Sequence, residues 1–484
     1  MDYDVVITQA SLIDGNGGVP YVADVAIRGE RIQAIGPALA GTARHRIDGR
    51  GLVLAPGFID VHTHDDTNVI RTPEMLPKLS QGVTTVIVGN CGISAAPVTL
   101  AGAPPDPMNL LGEQADFCYP TLSAYIDAVN QARPSVNVAA LIGHTALRQN
   151  HMDDLYRAAR PEESSAMRAQ LSQALEQGAL GLSSGLAYAS ANAAPAAEVM
   201  ALVEELSRFD AIYTTHLRTE FEGILEAMEE AFATGRHGRV PVVISHLKCA
   251  GAGNWGRTVQ TLAALELAAR HQDVACDCYP YAASSSTLDL KQVTDDFEIF
   301  ITWSDPHPEL AGRTLAEIAA LWQLPLYQAA ERLMPAGAVY HCMAEEDVRR
   351  VLAHPLSMVG SDGLPNDPHP HPRLWGAFPR VLGHYSRDQG LFSLAEAVHK
   401  MTGLSAHRFG LVDRGLLKPG YFADLVLFDP ERIQDSATFN HPCTPAQGIR
   451  QVWVNGTLSY RDGAATDRRQ GRFLYPKHYR GETR

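Results

Sequence analysis

Four histidines stand at positions where they could hold a metal ion. His62 and His64 lie two residues apart in the extended string Gly-Phe-Ile-Asp-Val-His-Thr-His (57–64), and alternate residues of a strand point to the same side. His216 and His246 each end a short apolar run. Imidazole nitrogens suit zinc, and histidines on neighbouring strands can share one ion. The pattern therefore predicts a zinc site, against the alternative of separate core or surface histidines.

Eight short apolar runs, most of them followed by a helix-like segment, could position these histidines. They cover residues 57–62, 84–91, 136–144, 179–186, 212–218, 242–248, 274–281 and 358–363. Eight parallel strands joined by helices close into a barrel whose active site lies at the carboxyl ends of the strands. Several runs end in reactive residues. The sequence thus predicts an α/β fold with a TIM-like (β/α)8 barrel over residues 57–414.

Both ends of the chain carry short β-rich runs separated by turn residues, such as Asn455-Gly456. We predict that residues 1–56 and 415–484 pair into one small β-sandwich-type module beside the barrel. The interval between the seventh and eighth runs is longer than one helix needs. We therefore expect an inserted segment, about residues 283–350, over the barrel mouth, where it could act as a lid.

Composition and charge argue against several classes of protein. The 484 residues are 45% hydrophobic and carry a formal net charge of −14, which disfavours binding to nucleic acid or to an anionic membrane. The sequence contains no run of about 18 or more apolar residues, so it predicts no membrane span. The seven cysteines are scattered and odd in number, so we expect a protein of the reducing cytoplasm. The expected partner is a small molecule, and the oligomeric state stays open.

Several longer motifs resemble one enzyme family. The His-x-His after Pro-Gly-Phe-Ile-Asp and the tail at 418–429 resemble the amidohydrolase superfamily. The strings Gly-Asn-Cys-Gly-Ile-Ser (89–94), Ser-Asp-Gly-Leu-Pro (361–365) and His-Pro-Arg-Leu-Trp-Gly (371–376) resemble its D-aminoacylase branch, the N-acyl-D-amino-acid deacylases. The resemblance covers nearly the whole chain. It implies a zinc-dependent hydrolase that cleaves the amide bond of N-acyl-D-amino acids and releases a carboxylate and a free D-amino acid.

The resemblance also implies which residues bind metal. Cys91, His216 and His246 would hold one tight zinc ion, and His62 and His64 would join Cys91 in a second, weaker site. A thiolate is a soft, strong zinc ligand that can bridge two ions.

A further group of residues would act on the substrate. By the same resemblance Asp362 would be the general base of the hydrolysis. Lys248, Tyr279 and Arg373 would receive the α-carboxylate, and Tyr188 would line the pocket.

Lysine content narrows the choice of metal ligands. Many binuclear amidohydrolases bridge their metals with a carboxylated lysine from strand four, but this sequence has no lysine between Lys78 and Lys248. The D-aminoacylase branch that the chain resembles uses a cysteine from the second strand instead, and Cys91 occupies that position. His144, at the end of the third run, is expected to be structural or to support a ligand.

Three alternatives accompany this reading. One is a specialist deacylase for N-acyl-D-glutamate or D-aspartate, but residues 289–292 lack the arginine that acid-selective relatives carry, and Asp289 would oppose an anion. Lys291 could take the place of that arginine. A second is a nucleobase deaminase, which would need a glutamate where Thr219 stands; Glu220 comes one residue late. The third, a non-catalytic barrel scaffold, conflicts with the complete set of ligand positions.

Overall fold

The computed structural model describes residues 1–477 and 479. The strands, numbered in chain order, are β1 (Tyr3–Leu12), β2 (Tyr21–Arg28), β3 (Arg31–Gly36), β4 (Ala43–Asp48), β5 (Val53–Pro56), β6 (Phe58–Asp60), β7 (Val83–Val88), β8 (Val98–Thr99), β9 (Cys118–Tyr119), β10 (Asn137–Gly143), β11 (Gly181–Gly185), β12 (Ile212–His216), β13 (Val242–Ile244), β14 (Val274–Cys278), β15 (Ser284–Thr287), β16 (Ile299–Ser304), β17 (Arg313–Thr314), β18 (Ala336–Tyr340), β19 (Ser357–Val359), β20 (Leu425–Phe428), β21 (Ile449–Val454), β22 (Thr457–Arg461) and β23 (Ala464–Ala465).

The α-helices in the described part of the chain are α1 (Asn68–Arg71), α2 (Leu76–Leu79), α3 (Leu122–Ala132), α4 (His144–His151), α5 (Pro161–Glu176), α6 (Ala189–Asn192), α7 (Ala196–Leu206), α8 (Ile224–Gly238), α9 (Thr258–Ala269), α10 (Leu315–Trp322), α11 (Leu326–Leu333), α12 (Glu345–Ala353), α13 (Arg373–Arg380), α14 (Leu394–Met401) and α15 (Gly403–Arg408).

Parallel strands form the predicted barrel in the order β6-β7-β10-β11-β12-β13-β14-β19. Its strands are buried along almost their whole lengths because helices cover the outside and apolar side chains fill the inside. Ile59, Ile87 and Leu141 belong to the interior cluster. This packed interior leaves the carboxyl ends of the strands as the place for a site. The predicted fold class is confirmed.

Polar contacts close the barrel between β6 and β19. The Asp362 amide donates a hydrogen bond of 2.7 Å to the His62 carbonyl, and Thr63 forms a parallel bridge with Gly363. Gly360 is required beside this seam, since an added Cβ would lie 2.4 Å from the Cβ of His62. The closure brings the first and last barrel strands, which lie far apart in sequence, to the same edge of the site.

The two chain ends share one sheet outside the barrel. β5 pairs antiparallel with β20, which joins the N-terminal strands to β21, β22 and β23. Ile7, Leu425 and Trp453 lie in the separate apolar core of this module. Residues 472–474 continue past the module and hydrogen-bond to Val138 of β10. The division of the chain at residues 56/57 and 414/415 stays a prediction.

The chain between β14 and β19 forms a second small sheet. Its antiparallel strands follow the order β15-β18-β16-β17, with α10 and α11 alongside. α12 packs against α9 and β19, so it serves as the crossover helix of the barrel itself. β15 runs beside the site, while a lid-like movement of the segment stays a prediction. Among the residues described, no helix is long and apolar enough to cross a membrane.

Candidate active site

Four buried side chains from different barrel strands meet at the carboxyl end of the barrel. The Nε2 atom of His62 lies 3.2 Å from Cys91 Sγ and 3.4 Å from Asp362 Oδ1. On the other side Cys91 Sγ lies 3.4 Å from His246 Nε2. The potential ligand atoms of these four residues all lie within 4.8 Å of one another. Sulfur, nitrogen and oxygen donors thus surround one point.

The two remaining predicted ligands border this group. His64 Nε2 lies 3.1 Å from Asp362 Oδ1, and the ring of His216 lies 4.5 Å from that of His246, centroid to centroid. The Nδ1 atoms of His64 and His216 are buried and have no hydrogen-bond partner among the described residues. The structure therefore brings together all five predicted ligands and Asp362.

Backbone geometry explains why the strands end where these residues begin. Cys91, His246 and Asp362 have φ angles of 53°, 35° and 50°, in the left-handed region that non-glycine residues seldom adopt. β7, β13 and β19 end at Val88, Ile244 and Val359, two or three residues earlier, and their ladders cannot resume through residues in this conformation. Gly185 supports the turn at Cys91, because an added Cβ there would lie 2.1 Å from the Cys91 carbonyl oxygen.

The electrostatics of the group favour a thiolate. Burial alone would raise the pKa of the Cys91 thiol, but the neighbouring His62 and His246 hold it well below its ordinary value. Burial likewise opposes ionisation of Asp362, yet Arg373 and His62 hold its pKa well below the usual range. For His62 burial acts to lower the pKa, and Asp277 reverses that effect and raises it. The imidazoles supply positive charge beside the thiolate and the carboxylate, and a bound metal ion would supply that charge in place of their protons.

Two carboxylates missed by the sequence reasoning support the histidines. Asp277 Oδ1 lies 3.2 Å from His62 Nδ1 and accepts a 2.9 Å hydrogen bond from the His246 amide. Glu220 Oε1 lies 2.9 Å from His246 Nδ1. Asp277 precedes Tyr279 by two residues in the predicted run 274–281, so strand alternation could have indicated it. Glu220 lies on a loop, where no such periodicity applies.

A buried ion cluster fixes the strand that carries His62. Lys78 Nζ lies 2.8 Å from Asp60 Oδ2, 3.1 Å from Asp65 Oδ2 and 2.8 Å from Ser361 Oγ. Burial acts to lower the pKa of Lys78, but Asp60 and Asp65 raise it, so the side chain is an ammonium. The cluster ties α2 to both sides of the barrel seam and so holds His62 and Asp362 in place.

Two of the residues predicted to bind the substrate carboxylate, Arg373 and Lys248, lie beside the third, Tyr279. The guanidinium carbon of Arg373 lies 4.5 Å from the ring centroid of Tyr279, and Lys248 Nζ lies 5.7 Å from it. Burial raises the pKa of Tyr279, so its hydroxyl stays a hydrogen-bond donor. Arg373 is fully buried and donates to the Ser285 carbonyl. Tyr188 is half-buried, with its ring 4.8 Å from that of His216.

His144 lies apart from the five predicted metal ligands and Asp362. Its Nε2 contacts Glu198 Oε1 at 2.9 Å, and Arg148 binds the same carboxylate oxygen. This buried cluster links α4 to α7 on the side of the barrel, which is consistent with the structural alternative for His144.

The residues present fit a zinc site. Their donors are the thiol and imidazole groups that zinc prefers, with a carboxylate beside them. Two buried imidazole nitrogens of these residues, His64 Nδ1 and His216 Nδ1, lack hydrogen-bond partners in residues 1–477 and 479. Arg373 adds a cation at the edge of the group, where it could bind an anionic substrate. The arrangement can therefore hold a metal ion and place a carboxylate base and a cation next to it.

Comparison with known proteins agrees with this geometry. The amidohydrolase family model matches residues 46–460. The chain is 49% identical to a D-aminoacylase of Alcaligenes xylosoxydans xylosoxydans over 98% of its length and 97% of the relative's. It is also 49% identical to an N-acyl-D-aspartate deacylase of the same organism, over 98% of this chain and 95% of the relative.

Solved structures give the same result. A D-aminoacylase crystal structure matches with a TM-score of 0.96 at 49% identity, covering 98% of this chain and 100% of that one. An N-acyl-D-glutamate deacylase from Bordetella bronchiseptica, complexed with zinc and a phosphonate inhibitor, matches with a TM-score of 0.95 at 45% identity and the same coverage. The chain therefore belongs to the amidohydrolase family, in its D-aminoacylase branch, and is a hydrolase. The resemblance seen in the sequence is confirmed.

Proposed function

We propose that this protein hydrolyses the acyl-amide bond of N-acyl-D-amino acids with the help of zinc. One observation carries the proposal: Cys91, His62, His246 and Asp362 meet in a buried group beside the arginine that could bind a substrate carboxylate. The 49% sequence identity to a D-aminoacylase supports the preference for D-substrates.

We assign metal binding to the five predicted residues. Cys91, His216 and His246 would hold the tight zinc ion, and His62 and His64 would share Cys91 with a second, weaker one. When bound, zinc supplies a Lewis acid that polarises the amide carbonyl and makes water more acidic.

The protein's own residues would handle the proton and the substrate. Asp362 would take a proton from the attacking water on a carboxylate oxygen and then deliver it to the nitrogen of the leaving amine. Arg373, Lys248 and the Tyr279 hydroxyl would hold the α-carboxylate and so fix the amide near Asp362. Tyr188 would line the pocket beside His216.

The side-chain preference is proposed to be broad or apolar. Asp289 accepts a hydrogen bond of 2.9 Å from the Lys291 amide. Its carboxylate lies in the segment where acid-selective relatives carry an arginine, and it would repel an acidic substrate side chain. The second candidate is a specialist for acidic side chains, for which Lys291 would be the cation. The chain is 49% identical both to a D-aminoacylase and to an N-acyl-D-aspartate deacylase, so sequence identity supports the two candidates equally. A cytoplasmic location stays a prediction from the scattered cysteines.

A substrate panel tests the proposal. The zinc-loaded protein is incubated with N-acetyl derivatives of D-Leu, D-Met, D-Phe, D-Glu and D-Asp and of their L-enantiomers, and amine release is measured. We expect turnover of the D-series, fastest for Leu, Met and Phe. Preference for D-Glu or D-Asp would favour the specialist, whereas turnover of L-substrates alone, or of none with zinc bound, would reject the proposed function.

A further inference from the structure

Glu220 is a buried carboxylate of the site to which the proposed reaction gives no role. It lies on the loop after β12, four residues beyond His216, and its side chain is 10% exposed. Its Oε1 atom lies 2.9 Å from His246 Nδ1 and 2.6 Å from Lys248 Nζ. One oxygen thus contacts both a proposed zinc ligand and a proposed substrate receptor.

The tautomer of the His246 imidazole determines which hydrogen-bond partner its second nitrogen requires. Its Nε2 atom faces Cys91 Sγ at 3.4 Å, so Nε2 is the nitrogen directed at the metal position. A neutral imidazole that gives the lone pair of Nε2 to a metal carries its hydrogen on Nδ1, and that N–H requires an acceptor.

Two groups lie close enough to Nδ1 to be its partner. Lys248 Nζ is 2.8 Å away, but an ammonium has only donors. Glu220 Oε1 is an acceptor at 2.9 Å. In the metal-binding form of His246, Glu220 can therefore accept the Nδ1 hydrogen and Lys248 cannot.

The same carboxylate controls Lys248. An ammonium that is about nine-tenths buried requires an anion, and Glu220 Oε1 at 2.6 Å supplies it. Held there, Nζ stays on the side of Tyr279, where the substrate carboxylate would bind. We propose that Glu220 is a positioning residue that orients His246 for zinc and Lys248 for the substrate. The inference rests on the proposed function and gives two positioning roles to one carboxylate.

Two substitutions separate the roles. Glu220→Gln keeps an oxygen acceptor for the His246 N–H but loses the charge that holds Lys248. Glu220→Leu has a similar size and loses both. Glu222→Gln is the matched control, since Glu222 is an exposed residue on the same loop. Zinc is withdrawn from each holoenzyme with a colorimetric chelator, and kcat and KM are measured with N-acetyl-D-leucine.

We expect Glu220→Leu to lower zinc affinity roughly 10- to 100-fold, the usual effect of losing such a partner. Glu220→Gln should keep the zinc affinity of the wild type and raise KM several-fold, with a smaller change in kcat. Glu222→Gln should match the wild type in both measurements.

Other outcomes overturn the inference. Equal loss of zinc in Glu220→Gln and Glu220→Leu would mean that the carboxylate itself binds the metal with His216 and His246. Wild-type zinc affinity in Glu220→Leu, or wild-type KM in Glu220→Gln, would also reject the dual role. A wild-type protein that neither retains zinc nor cleaves the substrate would reject the proposed function together with the inference, a result distinct from failure of the variants alone.

Discussion

Arg373 Nη1 lies 2.9 Å from Asp362 Oδ2, so the proposed substrate receptor and the proposed base form one buried ion pair. The pair is not aligned as a hydrogen bond, and Arg373 Nε and Nη1 donate to no described residue. Those two nitrogens can therefore donate hydrogen bonds to the carboxylate of a bound substrate. The arginine can therefore bind the substrate and at the same time keep Asp362 ionised.

Arg373→Met should weaken recognition of the α-carboxylate. Charge-assisted hydrogen bonds contribute about 1.5–3 kcal/mol each, so kcat/KM for N-acetyl-D-leucine should fall about a hundredfold or more. N-acetyl-D-leucinamide, which lacks the carboxylate, is the control substrate and should lose much less. If the variant still preferred the acid over the amide as strongly as the wild type, Arg373 would not be the receptor.

Asp362→Ala should retain zinc and lose activity. Removing a general base that also returns the proton lowers kcat by roughly 10²- to 10⁴-fold. Zinc content is measured alongside turnover so that loss of metal is not mistaken for loss of the base. Turnover near the wild-type rate would show that another group moves the proton.

Cys91→Ala should lose zinc as well as activity, because the thiol lies between the Nε2 atoms of His62 and His246. Cys276→Ala is the matched control: this cysteine is equally buried, but burial raises the pKa of its thiol and keeps it neutral. The control should bind zinc like the wild type. A fully loaded Cys91→Ala protein would show that Cys91 only packs in the core.

Lys78→Met should destabilise the barrel. It leaves Asp60 and Asp65 buried without their cation, which costs about 3–5 kcal/mol in the free energy of unfolding. Chemical denaturation of the metal-free proteins measures this change. Lys418→Met, at an exposed lysine, should change stability by about 0.5 kcal/mol or less. Equal stability of the two variants would contradict the role given to the cluster.

Glu198 should make stability depend on pH in the acid range. Burial acts to raise its pKa, but the hydrogen bond from His144 and the charges of His144 and Arg148 lower it from 4.5 to about 2. Because the folded-state pKa is depressed, the stabilisation is complete above pH 4.5 and is lost as the pH falls towards 2.

Glu198→Gln should therefore flatten the pH dependence of the unfolding free energy between pH 4.5 and 2. The variant should be less stable than the wild type above this window, since Arg148 loses its anion. Glu162→Gln, at an exposed glutamate of α5, should leave the slope unchanged. An unchanged slope in Glu198→Gln would mean that other groups carry the acid sensitivity.

The sequence by itself determined the barrel and the β-module beside it, and it predicted which types of residue would bind a metal. Strand alternation placed His62 and His64 on one side, and recurring apolar runs with reactive ends indicated the parallel barrel. These are local patterns, which depend on residues close together in the chain. For the same reason the runs that lead to Cys91, His246 and Asp362 were predicted as strands that are too long, because local patterns do not show the left-handed backbone at these residues.

Only the tertiary structure decided which distant groups support the site. Lys78 and Ser361 are 283 residues apart and meet because the first and last strands close the barrel. Strand alternation could indicate that Asp277 faces the site, but it does not show that Asp277 contacts His62 past β19. Likewise a loop brings Glu220 to Lys248. Such contacts depend on how strands and loops are placed in space, and local sequence patterns do not encode that placement.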